Sequence, residues 1–180
     1  MKKILLMGTA LLLAGFCIAL GSCDDDNDNP NYTSPTVISE FDVDFDRELL
    51  ELVDVSVTYT DFTGTTYTEK VTTDDWKKEL RSSEFPVTTS YKLNVTRKAN
   101  VALTRDYYDL DAEVKFEADS HFKKEKQPAI ADREFYLSRR EHVPAAEVEA
   151  EINNIIEASK ALDIAFRFTL TGNHATGTPL

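Results

Sequence analysis

The chain has 180 residues, with 32 acidic side chains against 20 lysines and arginines and a formal net charge of −12. A field of that sign repels phosphate, which excludes nucleic acid as an expected partner and disfavours charge-driven attraction of the whole chain to an anionic membrane. The length suits one ordinary domain with a real core, and no internal repeat at a fixed period interrupts it.

In chain order, Met1, Lys2 and Lys3 precede an uncharged, largely apolar stretch from Ile4 to Leu20. This is the positive n-region and apolar h-region of a secretory signal. A membrane span needs roughly 20 apolar residues, so length alone leaves an uncleaved anchor open. The exit from the stretch decides between them: Leu20-Gly21-Ser22-Cys23 sets a large aliphatic residue three places before a cysteine, with two small residues between. The pattern resembles the lipobox of bacterial lipoproteins. The resemblance implies removal of residues 1–22, transfer of a diacylglycerol to the Cys23 thiol, and acylation of the new amine. Two or three acyl chains give the stable anchoring that one does not. No other cofactor is expected. Loss of Lys2 and Lys3 with the signal leaves 18 cations against 32 acids, a mature net charge of −14.

Asp24, Asp25, Asp26, Asn27, Asp28, Asn29 and Pro30 follow, too polar to bury a core. Residues 23–35 therefore read as the lipidated cysteine and a flexible tether. An acidic run directly after the cysteine resembles the export signal of Bacteroidota surface lipoproteins, which implies the cell-surface face of the outer membrane; a periplasm-facing lipoprotein is the alternative. Asp24, Asp26 and Asp28 have the spacing of three EF-hand ligands, but Asn29 stands where glycine is needed and Pro35 where a bidentate Glu is needed, so no calcium site is expected. With Cys17 in the signal and Cys23 carrying lipid, the domain from 36 to 180 has no thiol.

That domain alternates with period two, as strands do when one face is buried. Phe41, Val43 and Phe45 alternate with aspartates, and Val53, Val55, Val57 and Tyr59 with polar residues. A turn at Asp61-Phe62-Thr63-Gly64 sends Thr66–Thr73 back as a hairpin partner. Further strands carry Val87 to Val95, Leu110 to Ala118, and Ile164 to Leu170 on one face. The one convincing helix runs from about Pro144 to Leu162, with Val148, Ile152, Ile155, Ile156 and Ser159 on a stripe. The expected fold is mainly β or α+β: an antiparallel β-sandwich or strongly curved sheet of about six strands, with this helix packed on it. The Cys and Trp markers of an immunoglobulin domain are absent.

Chemistry-bearing motifs are few. His121, His142 and His174 stand too far apart for a zinc pattern and read as solvated loop residues. No G-x-S-x-G is present, and no catalytic residue is assigned. Trp76 reads as part of a connection, and with Tyr107 and Tyr108 it forms the candidate aromatic set for stacking on sugar rings. Ser120 to Val143 reads as the longest connection and gathers Lys123, Lys124, Lys126, Arg133, Arg139 and Arg140, a candidate docking patch for an acidic partner or a sugar acid. In the other reading, Phe135, Tyr136 and Leu137 form a short edge strand guarded by charge. The leading expectation is a non-enzymatic lipoprotein domain that binds a ligand or serves in an envelope assembly, held to the membrane by its lipid, with carbohydrate or another envelope protein as partner. A glycan-binding accessory module is the first alternative, and a hydrolase whose site is assembled from scattered residues is the second.

Overall fold

A computed structural model of the chain describes residues 31–127 and 129–180. The expected signal, Cys23 and residues 24–30 of the expected tether lie outside the described residues. The elements in order are β1 (Tyr32–Phe45), α1 (Arg47–Leu52), β2 (Val53–Thr60), β3 (Thr66–Val71), β4 (Asp75–Ser82), β5 (Val87–Arg97), β6 (Tyr107–Tyr108), β7 (Ala112–Lys123), β8 (Glu125–Lys126), β9 (Ala131–Ser138), β10 (Val143–Pro144), α2 (Ala145–Ser159), β11 (Asp163–Thr171) and β12 (His174–Pro179).

The strands form two antiparallel five-stranded sheets and a small β6–β10 pair. The first sheet runs β4-β1-β7, with β8 and β9 both pairing with β7; the second runs β12-β11-β5-β2-β3. The expected class, an antiparallel sandwich with a helix in the C-terminal half, is what the structure shows. Its strands outnumber the six read from periodicity, and β1 begins at Tyr32, inside the stretch read as tether.

The two inner faces meet through aromatic rings. Phe41 stacks on Tyr91 with centroids 4.8 Å apart, and Phe116 stacks on Phe166 at 5.1 Å. The Tyr91 hydroxyl lies 3.0 Å from Ser39 Oγ across the sheets, so the one polar atom of that ring is satisfied. Burial pushes the Tyr91 phenol up to about 12. Each such side chain contributes about 1.5–3 kcal/mol by leaving water.

Helix α2 covers the opening between β5 and β9. Val148, Ile152, Ile155 and Ser159 are buried, as their spacing predicts. Helix α1, six residues long, was not legible from periodicity. Arg97 holds this region together: its guanidinium donates to the Leu52 carbonyl at 2.7 Å and pairs with Glu149 on α2 at 2.7 Å. That pairing holds the Glu149 carboxyl below its usual range.

Candidate functional site

The hydrogen bonds that follow β1 gather one end of the sandwich. Phe45 N donates to Asp74 O, Asp46 N to Asp111 O, Lys98 N to Leu52 O, and Leu110 N to Arg140 O. Two adjoining cavities, about 390 and 240 Å³, lie at this end and share Leu50, Thr72 and Lys98. Arg47, Glu51 and Asp74 line the larger one. Its charges are already engaged: Arg47 pairs with Asp74 at 3.2 Å, Lys98 Nζ donates to the Leu50 carbonyl at 2.6 Å, and Glu51 pairs with Arg105 at 2.9 Å. The Arg105 hydrogen bond lowers the Glu51 carboxyl. Neither cavity is lined by histidine or cysteine. The groove can hydrogen-bond a polar ligand, but its lining offers no imidazole base and no thiol nucleophile.

The outward faces of the sheets carry more distinctive chemistry. Across β4, β1 and β7 the register aligns Asp75, Asp44 and Glu113 in one row. The next row is Lys77, Asp42, Lys115 and Glu134, and the one after is Glu79, Glu40, Glu117 and Asp132. Lys77 reaches Glu40 at 2.5 Å and Asp42 at 3.6 Å. Among the described residues, no salt bridge reaches Asp44, Asp75 or Glu113. Burial first, and then neighbouring Glu40, raises the Asp42 carboxyl; burial and then Asp75 raise Asp44. One oxygen of Asp42 is buried without a hydrogen-bond partner. The second sheet presents hydroxyls instead. Thr58 faces Thr68 and Thr60 faces Thr66, each hydroxyl pair 3.0 Å apart, and Thr169 and Thr176 repeat this on β11 and β12.

The residues singled out from sequence do not converge. Trp76 lies in β4 opposite Val43, half-buried against the core, rather than in a connection. Tyr108 is buried, its hydroxyl accepting from Thr104 N and Arg105 N, whereas Tyr107 is 57 % exposed with its ring 6.4 Å from His142. The described residues show no ring contact between Trp76 and either tyrosine, so the three form no platform. The basic residues of 120–143 also scatter. Lys126 pairs with Asp119 and Glu117, Arg140 with Glu147 and Glu151, Arg139 lies over the Tyr136 ring, and Lys123 over Phe122. Lys124 is exposed in the β7–β8 turn, and Arg133 donates to the Asp132 carbonyl. That stretch is not a long connection: β7 extends to Lys123, and Phe135–Leu137 belong to β9 at the sheet edge, as the edge-strand reading expected.

His121 also departs from expectation. It is a buried strand residue of β7 beside the Tyr32 ring, not a solvated loop residue, and burial lowers its pKa. His142 and His174 are exposed, as expected, though His174 opens strand β12 and is not in a loop. Among the described residues, no group of three or more His, Cys, Asp or Glu is placed to hold a metal ion, and no helix is long and apolar enough to cross a membrane.

Two clusters escaped the sequence reading. Lys78 of β4 donates to Glu69 of β3 at 2.7 Å and sits 4.7 Å over the Tyr59 ring, closing one open side of the sandwich. Glu151 is buried on α2, accepting from Ser138 Oγ at 2.7 Å and Arg140 Nη1 at 3.3 Å. The signal for each was a charged residue at an inward position of an otherwise apolar pattern. No known protein family, curated protein or solved structure matches the chain.

Proposed function

We propose that this chain is an envelope lipoprotein, anchored through lipid on Cys23 in the outer membrane with its domain on the cell-surface side, and that its sandwich is a non-enzymatic module that binds another envelope component. The Leu20-Gly21-Ser22-Cys23 sequence supports the anchor. The observation that carries the binding half is the contrast between the outward sheet faces: one presents a row of directly opposed carboxylates, Asp75, Asp44 and Glu113, that no salt bridge among the described residues reaches, the other hydroxyls that satisfy one another. Like charges placed opposite each other on a sheet are destabilising. A face that keeps them is suited to a broad, cation-bearing protein surface, and the opposite charges would also steer the encounter. The glycan reading loses its footing, because Tyr108 is buried and Trp76 packs against the core.

Cross-linking in cells with the full chain tests the reading. Asp44→Lys with Glu113→Lys should abolish the partner adduct, while Thr58→Val with Thr68→Val should leave it intact; equal adducts in both would reject the acidic face as the contact. For the anchor, mass spectrometry should find the mature chain starting at a lipid-modified Cys23, and Cys23→Ser should release the protein from membranes.

A further inference from the structure

Among the described residues, Arg167 is the guanidinium that the fold does not use. Arg47, Arg81, Arg97, Arg105 and Arg140 each pair with a carboxylate. Arg133 donates to a carbonyl, and Arg139 lies over an aromatic ring. The Arg167 side chain makes no hydrogen bond, ion pair or ring contact with another described residue. In a chain with 32 acids against 20 lysines and arginines, that is the exception, and the sheet register accounts for it. Arg167 is an exposed, outward residue of β11, and its cross-strand neighbours are Thr88 of β5 and Thr178 of β12. Ala165 and Thr169 flank it along the same face. Asp163, one step further along, is opposite Lys92 and 3.9 Å from its Nζ.

Arg167 lines a cavity of about 370 Å³ together with Thr169, Leu170 and, from the β4–β5 connection, Ser83, Phe85 and Pro86. No acidic side chain lines it; Glu84, between two of these residues in sequence, stands outside the lining. The volume falls at the small end of the roughly 300–1,000 Å³ that ligand pockets span, and an apolar wall with a few polar groups is their usual make-up. Each part of the lining selects a different part of a ligand. A guanidinium presents parallel N–H donors that fit both oxygens of a carboxylate. Phe85, Pro86 and the 40 % exposed Leu170 offer apolar surface to C–H groups. The Ser83 and Thr169 hydroxyls can each donate and accept; Thr169 uses part of that capacity on Thr176 at 3.0 Å. A sugar acid carries a carboxylate, a C–H face and hydroxyls on one ring. An apolar carboxylate leaves the hydroxyls unused, and a neutral sugar leaves Arg167 unused. The acid-rich sheet does not forbid an anion here, because packed sheets lie about 10 Å apart and the Debye length at physiological salt is about 8 Å. We propose that this cleft binds a sugar acid of monosaccharide size, with Arg167 holding its carboxylate and its ring resting on Phe85 and Pro86. The site lies apart from the acidic face and from the aromatic set read from sequence, and it does not depend on the lipid anchor.

The test titrates the purified full chain with D-glucuronate and follows the ligand by NMR, with D-glucose, benzoate and inorganic phosphate as comparison probes. Glucuronate should bind saturably with a Kd on the order of 1 mM. D-glucose, which lacks the carboxylate, should bind about tenfold more weakly; benzoate, which lacks the hydroxyls, and phosphate, which lacks the ring, should each also bind more weakly than glucuronate. Arg167→Gln should weaken glucuronate about tenfold and leave both D-glucose binding and the thermal unfolding midpoint unchanged, because no other described residue relies on that guanidinium. Ser83→Ala with Thr169→Val should weaken glucuronate about threefold and leave benzoate unchanged. Glucuronate that fails to saturate, or that binds the Arg167→Gln variant as tightly as the unaltered chain, overturns the site. Benzoate or phosphate binding as tightly as glucuronate overturns the assignment to a sugar acid.

Discussion

The outward faces of the two sheets share geometry and differ in chemistry. On both, side chains two residues apart along a strand meet partners across neighbouring strands. On the β2–β3 side those partners are threonines whose hydroxyls pair at 3.0 Å; on the β4-β1-β7 side, Asp75, Asp44 and Glu113 lie abreast. A hydroxyl both donates and accepts, so a row of threonines is complete in itself. A carboxylate at neutral pH only accepts, so a row of carboxylates is left wanting a cation. The strand period decides which residues meet, and the residue type decides whether the meeting satisfies them.

The interior shared by both faces sets the scale against which either can be broken. Phe116→Ala, at a fully buried ring, should lower stability by about 3–5 kcal/mol, measured by urea unfolding, and should do so alike at low and high salt. Tyr91→Phe keeps the ring and strands the Ser39 hydroxyl, for a loss of about 1–2 kcal/mol. The acidic face should respond in the opposite direction. Because Asp44 is raised in the folded state, its contribution is fully present below the unfolded value near 3.8 and is lost as pH rises through the higher folded value. Asp44→Asn should therefore stabilise the domain at pH 7 by no more than about 0.5 kcal/mol after solvent screening. The gain should vanish below pH 3.8, and the part of it that comes from the neighbouring aspartates should shrink in 1 M salt. The hydroxyl face should move least. Thr58→Val should shift stability by under about 0.5 kcal/mol, with no dependence on pH or salt. A salt-sensitive Thr58→Val, or a salt-insensitive Asp44→Asn, would erase the contrast.

The class of fold was legible because its central strands alternate cleanly: Phe41, Val43 and Phe45 on β1, and Val53 to Tyr59 on β2, all point inward as their spacing says. Strands β4 and β12 were not legible, for different reasons. In β4 the inward positions include Lys78, whose charge is met by Glu69 and the Tyr59 ring on the other sheet, a partner 9 residues away that periodicity does not show. In β12 the inward residues Ala175 and Gly177 are small because the sheet closes tightly there. A Cβ at Gly177 would lie 3.1 Å from the Phe168 ring.

The candidate sites fared differently. Single residues read as exposed, such as Tyr108 and His121, were buried by contacts that periodicity does not show: the Tyr108 hydroxyl is capped by the adjacent 104–105 backbone, and His121 lies beside Tyr32, 89 residues earlier. The acidic face was visible only strand by strand, as the aspartates that alternate with Phe41, Val43 and Phe45. Its rows exist because β1 pairs with β4 on one side and β7 on the other, a register that no local spacing encodes.

That placement of β1 has a mechanical meaning. The strand that receives the chain from the N-terminal side is zipped along both flanks, to Ser82–Asp75 of β4 and to Lys123–Ala112 of β7. A pull from that side, along the strand, loads both ladders together in shear instead of peeling them open one rung at a time. The domain should thus resist tension at its first residue far better than tension at its last, where β12 hangs on a single neighbour.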